Sequence, residues 1–302
     1  MNPNAVVECV PNFSEGRRPE VIEAIAGAIA AQGVKVLSVS SDADHNRCVI
    51  TFIGGPEAVA RAAIRGAEVA IRLIDLNHHR GSHPRMGAVD VIPFVPVSGC
   101  DMTDCVALAR QVGEALGQMG LPVYLYEAAA TRPDRRNLAD VRRGEFEGLR
   151  ELIGKDPDKK PDFGPEAIHP TAGCVAVGAR MPLIAFNVNL GTSDLSIAKK
   201  IARAVRGSSG GLVHCKALAV PLAERGQVQV SMNMVNYKET PLHRAFELIR
   251  LEAERYGVPV VGSEIVGLVP MDALVGVARH YLRLEGFKSD QVLEKRLLEV
   301  ME

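Results

Sequence analysis

The amino-acid sequence predicts an α/β protein: an α+β sandwich of two ferredoxin-like subdomains, each a mixed β-sheet covered by helices. Three observations predict it. Apolar runs at strand spacing alternate with amphipathic helical stretches along the chain. The order β-α-β-β-α-β, that of a split βαβ unit, occurs in both halves. Between them, residues 154–182 carry five prolines and four glycines, which exclude a long helix or a regular strand over most of that seam. The subdomains are therefore set at residues 1–180 and 181–302, with a ligand groove expected at their interface.

In the first half, residues 6–10 read as a strand and Pro11-Asn12-Phe13-Ser14-Glu15-Gly16 as a turn. A helix follows Pro19, with Val21, Ile22, Ile25, Ala26 and Ile29 on one stripe. Strands over 34–39 and 48–53 flank the polar turn 41–46. Gly54-Gly55-Pro56 opens a long, alanine-rich helix through Leu73. Residues 88–97 read as a strand, yet Pro93 and Pro96 each remove an amide donor, so this strand is expected at an edge or bulged. A helix over 102–116 and a strand over 122–126 follow.

The second half begins with a strand over 183–188 and a turn into a helix whose apolar positions are Leu195, Ile197, Ile201 and Val205. The Gly-Ser-Ser-Gly-Gly run at 207–211 has the look of a phosphate cradle. It lacks the Lys-Ser/Thr of a P-loop, and a helix C-cap and turn is the favoured reading. Strands over 212–220 and 227–234 come next. Thr240 is read as an N-cap with Pro241 at N1, opening an amphipathic helix through Arg255. A strand over 258–261 and two short helices complete the pattern.

Composition excludes several classes. With 47% hydrophobic residues, 24% charged and a net charge of −1, the chain is globular and offers no general electrostatic footprint for nucleic acid. Any anion site must be local. No apolar run approaches the ~20 residues of a membrane helix, and the first residues lack the charged and apolar regions of a signal peptide, so a cytoplasmic protein is expected. The six cysteines are expected to be reduced and inert; Cys100 and Cys105 lie close together, but no second pair completes a zinc site.

Chemistry concentrates at residues 77–92, Asn-His-His-Arg-Gly-Ser-His-Pro-Arg-Met-Gly-Ala-Val-Asp-Val-Ile. Pro84 disfavours the helical region for His83, which places this imidazole in an extended turn. A titratable ring on a stiff loop beside fixed cations suits proton transfer next to an anionic substrate; a solvated basic loop is the plain alternative. A metal site on His78, His79 and His83 is disfavoured, because Gly81 and Pro84 prevent the i, i+4 helical face that zincins use.

Several motifs together carry a resemblance. Val-Glu-Cys-Val-Pro-Asn-Phe-Ser-Glu-Gly at 7–16, Asp-His-Asn-Arg at 44–47, His-Pro-Arg-Met-Gly-Ala-Val-Asp-Val at 83–91, Leu-Pro-Val-Tyr-Leu-Tyr at 121–126, Pro-Asp-Phe-Gly-Pro at 161–165, Leu-Ile-Ala-Phe-Asn-Val-Asn-Leu at 183–190 and Val-Gly-Leu-Val-Pro at 266–270 resemble, in order, the glutamate formimidoyltransferases. The same domain forms part of formiminotransferase-cyclodeaminases, of which only the transferase step is implied here. The resemblance implies a homodimer acting on small molecules. It would move the formimino group of N-formimino-L-glutamate to N5 of tetrahydrofolate, a co-substrate, with no metal and no partner among nucleic acids or membranes.

The resemblance also makes His83 the catalytic histidine. It makes the loop Gly164, Pro165, Glu166, Ala167, Ile168, His169, Pro170, Thr171, Ala172 and Gly173 the folate-binding segment. An imidazole of ordinary pKa, near ~6.5, serves first as base and then as acid in such a transfer, contributing about 10²–10⁴ in rate. Both substrates carry carboxylates, which makes Arg47, Arg80 and Arg85 candidate anion clamps, with Asp44 and Asn46 as further substrate contacts. An ion pair within the protein is the alternative for each arginine. Asp90 is a second candidate to orient His83, and the amides of Asn12, Asn187 and Asn189 either bind pterin edges or close turns. Where the family has acidic residues ahead of the Asp-His-Asn-Arg turn, this chain has Ser38, Ser40 and Ser41, leaving Asp42 or Asp44 as the assisting carboxylate. N-formylglutamate as donor, and a folate-binding protein without turnover, are the alternative readings.

Overall fold

The structure, a computed structural model, describes residues 4–301, so the first three residues of the N-terminal segment read above lie outside it. The chain divides into two compact units between Met181 and Pro182. Among the described residues no helix is long and apolar enough to cross a membrane.

The first unit runs β1 (Val6–Cys9), β2 (Asn12–Phe13), α1 (Pro19–Ala30), β3 (Lys35–Asp42), β4 (Arg47–Gly54), α2 (Pro56–Leu73), β5 (Val89–Ser98), α3 (Met102–Gln118), β6 (Val123–Glu127), α4 (Leu138–Val141), α5 (Glu145–Leu152) and β7 (Val175–Ala179). Its sheet has the order β3-β4-β1/β2-β5-β7-β6, because β1 and β2 take turns between β4 and β5. This is the split βαβ arrangement extended by β7 and β6, which join in parallel. Helix α1 starts with Pro at its first turn and buries Val21, Ile22, Ile25 and Ile29. Helix α2 buries a stripe of alanines, and α3 is closed by a reciprocal Asp101–Asp104 capping box. The inward faces of these helices and the sheet share one apolar core.

The second unit runs β8 (Ile184–Leu190), α6 (Leu195–Val205), β9 (Cys215–Leu222), β10 (Gln227–Met234), α7 (Leu242–Glu254), β11 (Val260–Val266), α8 (Met271–Leu282) and α9 (Leu293–Met301). Its sheet order is β11-β8-β10-β9 and every pair is antiparallel. The mixed sheet expected of both units is thus found in the first. In a split unit each crossover leaves room for one strand, and here β10 fills the gap antiparallel to both neighbours.

Three local expectations change. Strand β5 is central rather than an edge; its prolines are accommodated beside register shifts opposite Val6/Val7 and Asn12/Phe13. The seam contains a fully buried strand, β7. The N-cap of α7 is Pro241, whose extended φ of −65° and ψ of 153° delay the helix by one residue, so Thr240 does not cap it.

Candidate active site

The site is assembled by the turn between β3 and β4. Asn46 adopts φ +48°, a left-handed conformation that asparagine tolerates. Its Nδ2 donates to the Arg80 carbonyl at 2.9 Å, and its Oδ1 accepts from the Gly16 amide at 2.9 Å. Its own carbonyl lies 2.8 Å from His79 Nε2. The Ser82 amide donates to the Asp44 carbonyl at 3.0 Å. Gly81 permits this approach, since a Cβ there would lie 2.2 Å from the His45 carbonyl oxygen. The histidine loop is thereby fastened to the start of β4, whose first residue is Arg47.

Arg47 Nη1 stands 3.5 Å from His83 Nε2 and donates to Asn12 Oδ1 at 2.8 Å. A second guanidinium, Arg142 just beyond α4, pairs with Asp90. Asp90 occupies the β5 bulge opposite Asn12 and Phe13 and is only 1% exposed; its other oxygen accepts from the Met86 amide at 2.8 Å. The Nε atoms of both Arg47 and Arg142 are buried without a hydrogen-bond partner among the described residues.

Electrostatics follow from this packing. Burial, then the positive charges of Arg47 and Arg142, then His45 and His79, push the His83 pKa down to about 3. The ring is therefore neutral at any ordinary pH, in contrast to the half-titrated imidazole expected from residue type. Arg47 is itself lowered, by burial first and then by Arg142.

The remaining sequence-predicted residues divide sharply. Arg85 is consumed by the protein: its guanidinium grips Glu147 at 2.7 and 2.8 Å and reaches Glu145 at 3.4 Å, while Nε donates to His79 Nδ1 at 3.2 Å. Its guanidinium thus forms the ion pair within the protein that was the alternative to a substrate clamp. His79, donating through Nε2 and accepting through Nδ1, is a buried neutral spacer. Arg80 is exposed and donates to the His79 and Asn77 carbonyls at 2.7 and 3.3 Å. Asn46 is spent on the turn, and Asp44 offers its carbonyl to Ser82. Asp42 pairs with His45, whose ring centroid is 6.4 Å from that of His83. His78 bonds Asp75 on the surface. No group of three or more His, Cys, Asp or Glu side chains stands at ligating geometry among the described residues.

The loop from Gly164 to Gly173 has an exposed apex at 164–167 and a tied base. His169 and Gly173 exchange main-chain hydrogen bonds of 3.1 Å, Thr171 O accepts from Leu76, and Ala172 O accepts from Ala88. Asn77 Nδ2 donates to the Pro170 carbonyl at 3.0 Å. Gly173 has φ +73°, and a Cβ on it would sit 2.3 Å from Met86 O. The two loops singled out in the sequence are thus stitched together at their bases. Glu166 at the apex pairs with Lys160.

In the second unit Asn187 and Asn189 close no turn. Gln229 Nε2 donates to Asn189 Oδ1 and Glu264 Oε1 at 2.9 Å, and Asn187 Nδ2 donates to the same Glu264 oxygen at 3.0 Å. A cavity of about 320 Å³ is lined by Ser14, Glu15, Asn46 and His79 among others but not by His83 or Arg47. The half-buried His83 ring and the unpartnered Nε atoms of Arg47 and Arg142 lie outside it. Sequence reasoning missed Arg142. It lies in a stretch with no motif, and only its pairing with Asp90, 52 residues away, marks it.

Comparison with known proteins shows the family of the chain. Residues 6–180 match the family model of the formiminotransferase domain, N-terminal subdomain, and residues 185–300 match that of the formiminotransferase domain. The chain belongs to the formiminotransferase family. It is 51% identical to a glutamate formimidoyltransferase of Streptococcus pyogenes serotype M1, over 97% of this chain and 99% of that one. A glutamate formimidoyltransferase of Thermoplasma acidophilum is also 51% identical, over 97% of each chain. The formimidoyltransferase-cyclodeaminase of Gallus gallus is 45% identical over 93% of this chain but only 53% of its own length.

Proposed function

We propose that this formiminotransferase-family chain moves the formimino group of N-formimino-L-glutamate to N5 of tetrahydrofolate and releases L-glutamate, with His83 as the proton carrier. Full-length relatives that bear the name glutamate formimidoyltransferase support the reaction. The observation that carries the residue assignment is a neutral His83 held 3.5 Å from the guanidinium of Arg47.

The chemistry requires one proton to leave and one to arrive. As N5 attacks the carbon of the protonated amidine, a bond forms to that carbon, the electron pair of its C=N bond moves onto nitrogen, and N5 loses its proton to the unprotonated His83 nitrogen. The tetrahedral carbon then bears three nitrogens: N5, the glutamate nitrogen and the former imino nitrogen. Protonation of the glutamate nitrogen by the imidazolium makes it the leaving group; the carbon–nitrogen bond to glutamate breaks and His83 returns to its starting form. Arg47 supplies fixed positive charge for a substrate carboxylate. Gly164, Pro165, Glu166, Ala167, Ile168, His169, Pro170, Thr171, Ala172 and Gly173 hold the folate in this reading, with Arg80 as a second, exposed cation. A cytoplasmic homodimer belongs to the same reading.

The test is transfer from N-formimino-L-glutamate to tetrahydrofolate, followed by acid conversion of the product to methenyl-tetrahydrofolate. His83→Ala and N-formylglutamate run alongside. Transfer from the formimino donor that falls at least about 10²-fold in His83→Ala is expected. Near-wild-type turnover in the variant would remove His83 from the mechanism, and transfer from the formyl donor alone would change the substrate.

A further inference from the structure

The cluster around His83 holds two guanidiniums, Arg47 and Arg142, and two carboxylates, Asp90 and Asp42. Asp90 is committed to Arg142 and the exposed Asp42 to His45, which leaves an excess of positive charge at Arg47. The excess coincides with unused donors, since Nε of each arginine is buried and unpartnered among the described residues. A buried N–H without a partner is unfavourable until something accepts from it. Two such donors on forked, planar cations describe a place for an anion with two oxygens.

We propose that Arg47 and Arg142 together bind the α-carboxylate of the amino-acid donor, and that seating this carboxylate is what makes His83 a working base. The proposal rests on the function given above and names the residues that hold the donor. The α-carboxylate is attached to the same carbon as the nitrogen that must depart. A carboxylate fixed on this pair of arginines therefore brings that nitrogen towards His83, which Arg47 already touches.

The groups facing His83 are Arg47 from β4, Arg142 from beyond α4, His45 from the turn before β4 and His79 from its own loop, with Asp90 of β5 and Asp42 of β3 acting through the arginines and His45. In the free enzyme burial, reinforced by the charges of Arg47 and Arg142, leaves the ring a poor acceptor of protons, at about 3. A carboxylate between the guanidiniums cancels the excess charge. An opposite charge at ~4–6 Å changes a pKa by about 1–3 units, so the imidazole recovers towards the range in which general bases work well. Abstraction of the folate proton is then confined to enzyme that already holds its donor.

The experiment follows the His83 ring by nuclear magnetic resonance of histidine-labelled full-length protein, assigned with His83→Asn and titrated in pH with and without ligands. L-Glutamate, the product, is expected to raise the His83 midpoint by about one to three pH units. L-Glutamine, which keeps only the α-carboxylate, should do the same, and 4-aminobutyrate, which keeps only the other, should not. Arg142→Gln should abolish the rise, and Arg142→Lys, which keeps a cation, should retain part of it. Steady-state rates supply a second readout, with kcat in Arg142→Gln losing its dependence on the raised group while KM for the donor increases at least tenfold.

An unmoved midpoint with glutamate, bound or not, overturns the proposal. So does a rise with 4-aminobutyrate that L-glutamine fails to reproduce, or a full rise in Arg142→Gln. Absence of formimino transfer in the wild type, with the glutamate-dependent rise intact, would remove the assigned reaction while leaving the carboxylate clamp standing.

Discussion

Replacing Asp90 by asparagine isolates the charge that holds the site together. The carboxylate is 1% exposed and its partner Arg142 has a side chain 15% exposed. Asparagine keeps an oxygen for the Met86 amide, so the main loss is the negative charge facing Arg142 and, behind it, Arg47. Removing one member of a buried pair costs about 3–5 kcal/mol, because the other is left charged without compensation. Arg142 retains some water, so the low end applies, about 3 kcal/mol. That corresponds to roughly a 150-fold gain in the opening equilibrium.

Native-state hydrogen exchange of the amides of β5 reads this directly, since the strand is central to the first unit and opens only when that unit does. Exchange there should accelerate by about two orders of magnitude. Asp134→Asn removes the partner of Arg132 in an exposed pair and serves as the control, with a change below about fivefold. Acceleration of less than tenfold in Asp90→Asn would refute the argument. Arg142 would then have an alternative counter-charge or ready access to water.

Three further outcomes follow from the structure. His83 has a folded pKa of about 3 against an ordinary 6.5, so below pH 6.5 the unfolded chain takes up a proton that the folded chain refuses. Stability is complete above 6.5 and falls as the pH drops towards 3; His83→Asn should flatten that slope in urea titrations, and an unchanged slope would contradict the burial of the ring. Glu147 is held at about 2 by its hydrogen bonds from Arg85, below its ordinary 4.5. Its contribution is present above 4.5 and is lost as pH falls through 2. With a side chain 61% exposed it amounts to about 1 kcal/mol after screening, and Glu147→Gln should remove this lower window alone. Gly173→Ala places a Cβ at φ +73° and 2.3 Å from Met86 O, and should destabilise by about 1–3 kcal/mol. A lowered melting temperature and a raised KM for tetrahydrofolate are expected, and wild-type values of both would separate the loop from folate.

Much of this fold is visible in the sequence because its signals are local. The stripe of α1, the proline that opens α2 and the alternation of β10 each act within a few residues. Strand β7 escapes because Val175–Ala179 is a short apolar run in a seam otherwise full of breakers; a parallel strand buried on both faces has no alternation to betray it. Strand β2 escapes because two residues after Pro11 look like a turn, and only the register of β4 and β5 makes them a strand. Pro84 and the cationic neighbours single out His83 in the sequence as a candidate, and the family resemblance gives it its role. Its electrostatic environment is not legible there, because Arg47 is 36 residues away and Arg142 depends on a bulge that carries Asp90.

Arg47 and Arg85 show why residue type near a histidine does not settle a role. Both lie next to the histidine loop or in it, and either suits a carboxylate. Arg85 finds one inside the protein, because α5 begins with Glu145 and places Glu147 two residues later, and the pair closes around the guanidinium. Arg47 emerges where β2 offers the amide oxygen of Asn12, while the nearby carboxylates are committed elsewhere, Asp90 to Arg142 and Asp42 to His45. One arginine is neutralised and becomes a fastener of the loop. The other remains charged beside a deprotonated ring, so what distinguishes them is the supply of acidic side chains from the elements that fold against each. The carboxylate clamp proposed above would place the anionic donor against that charge.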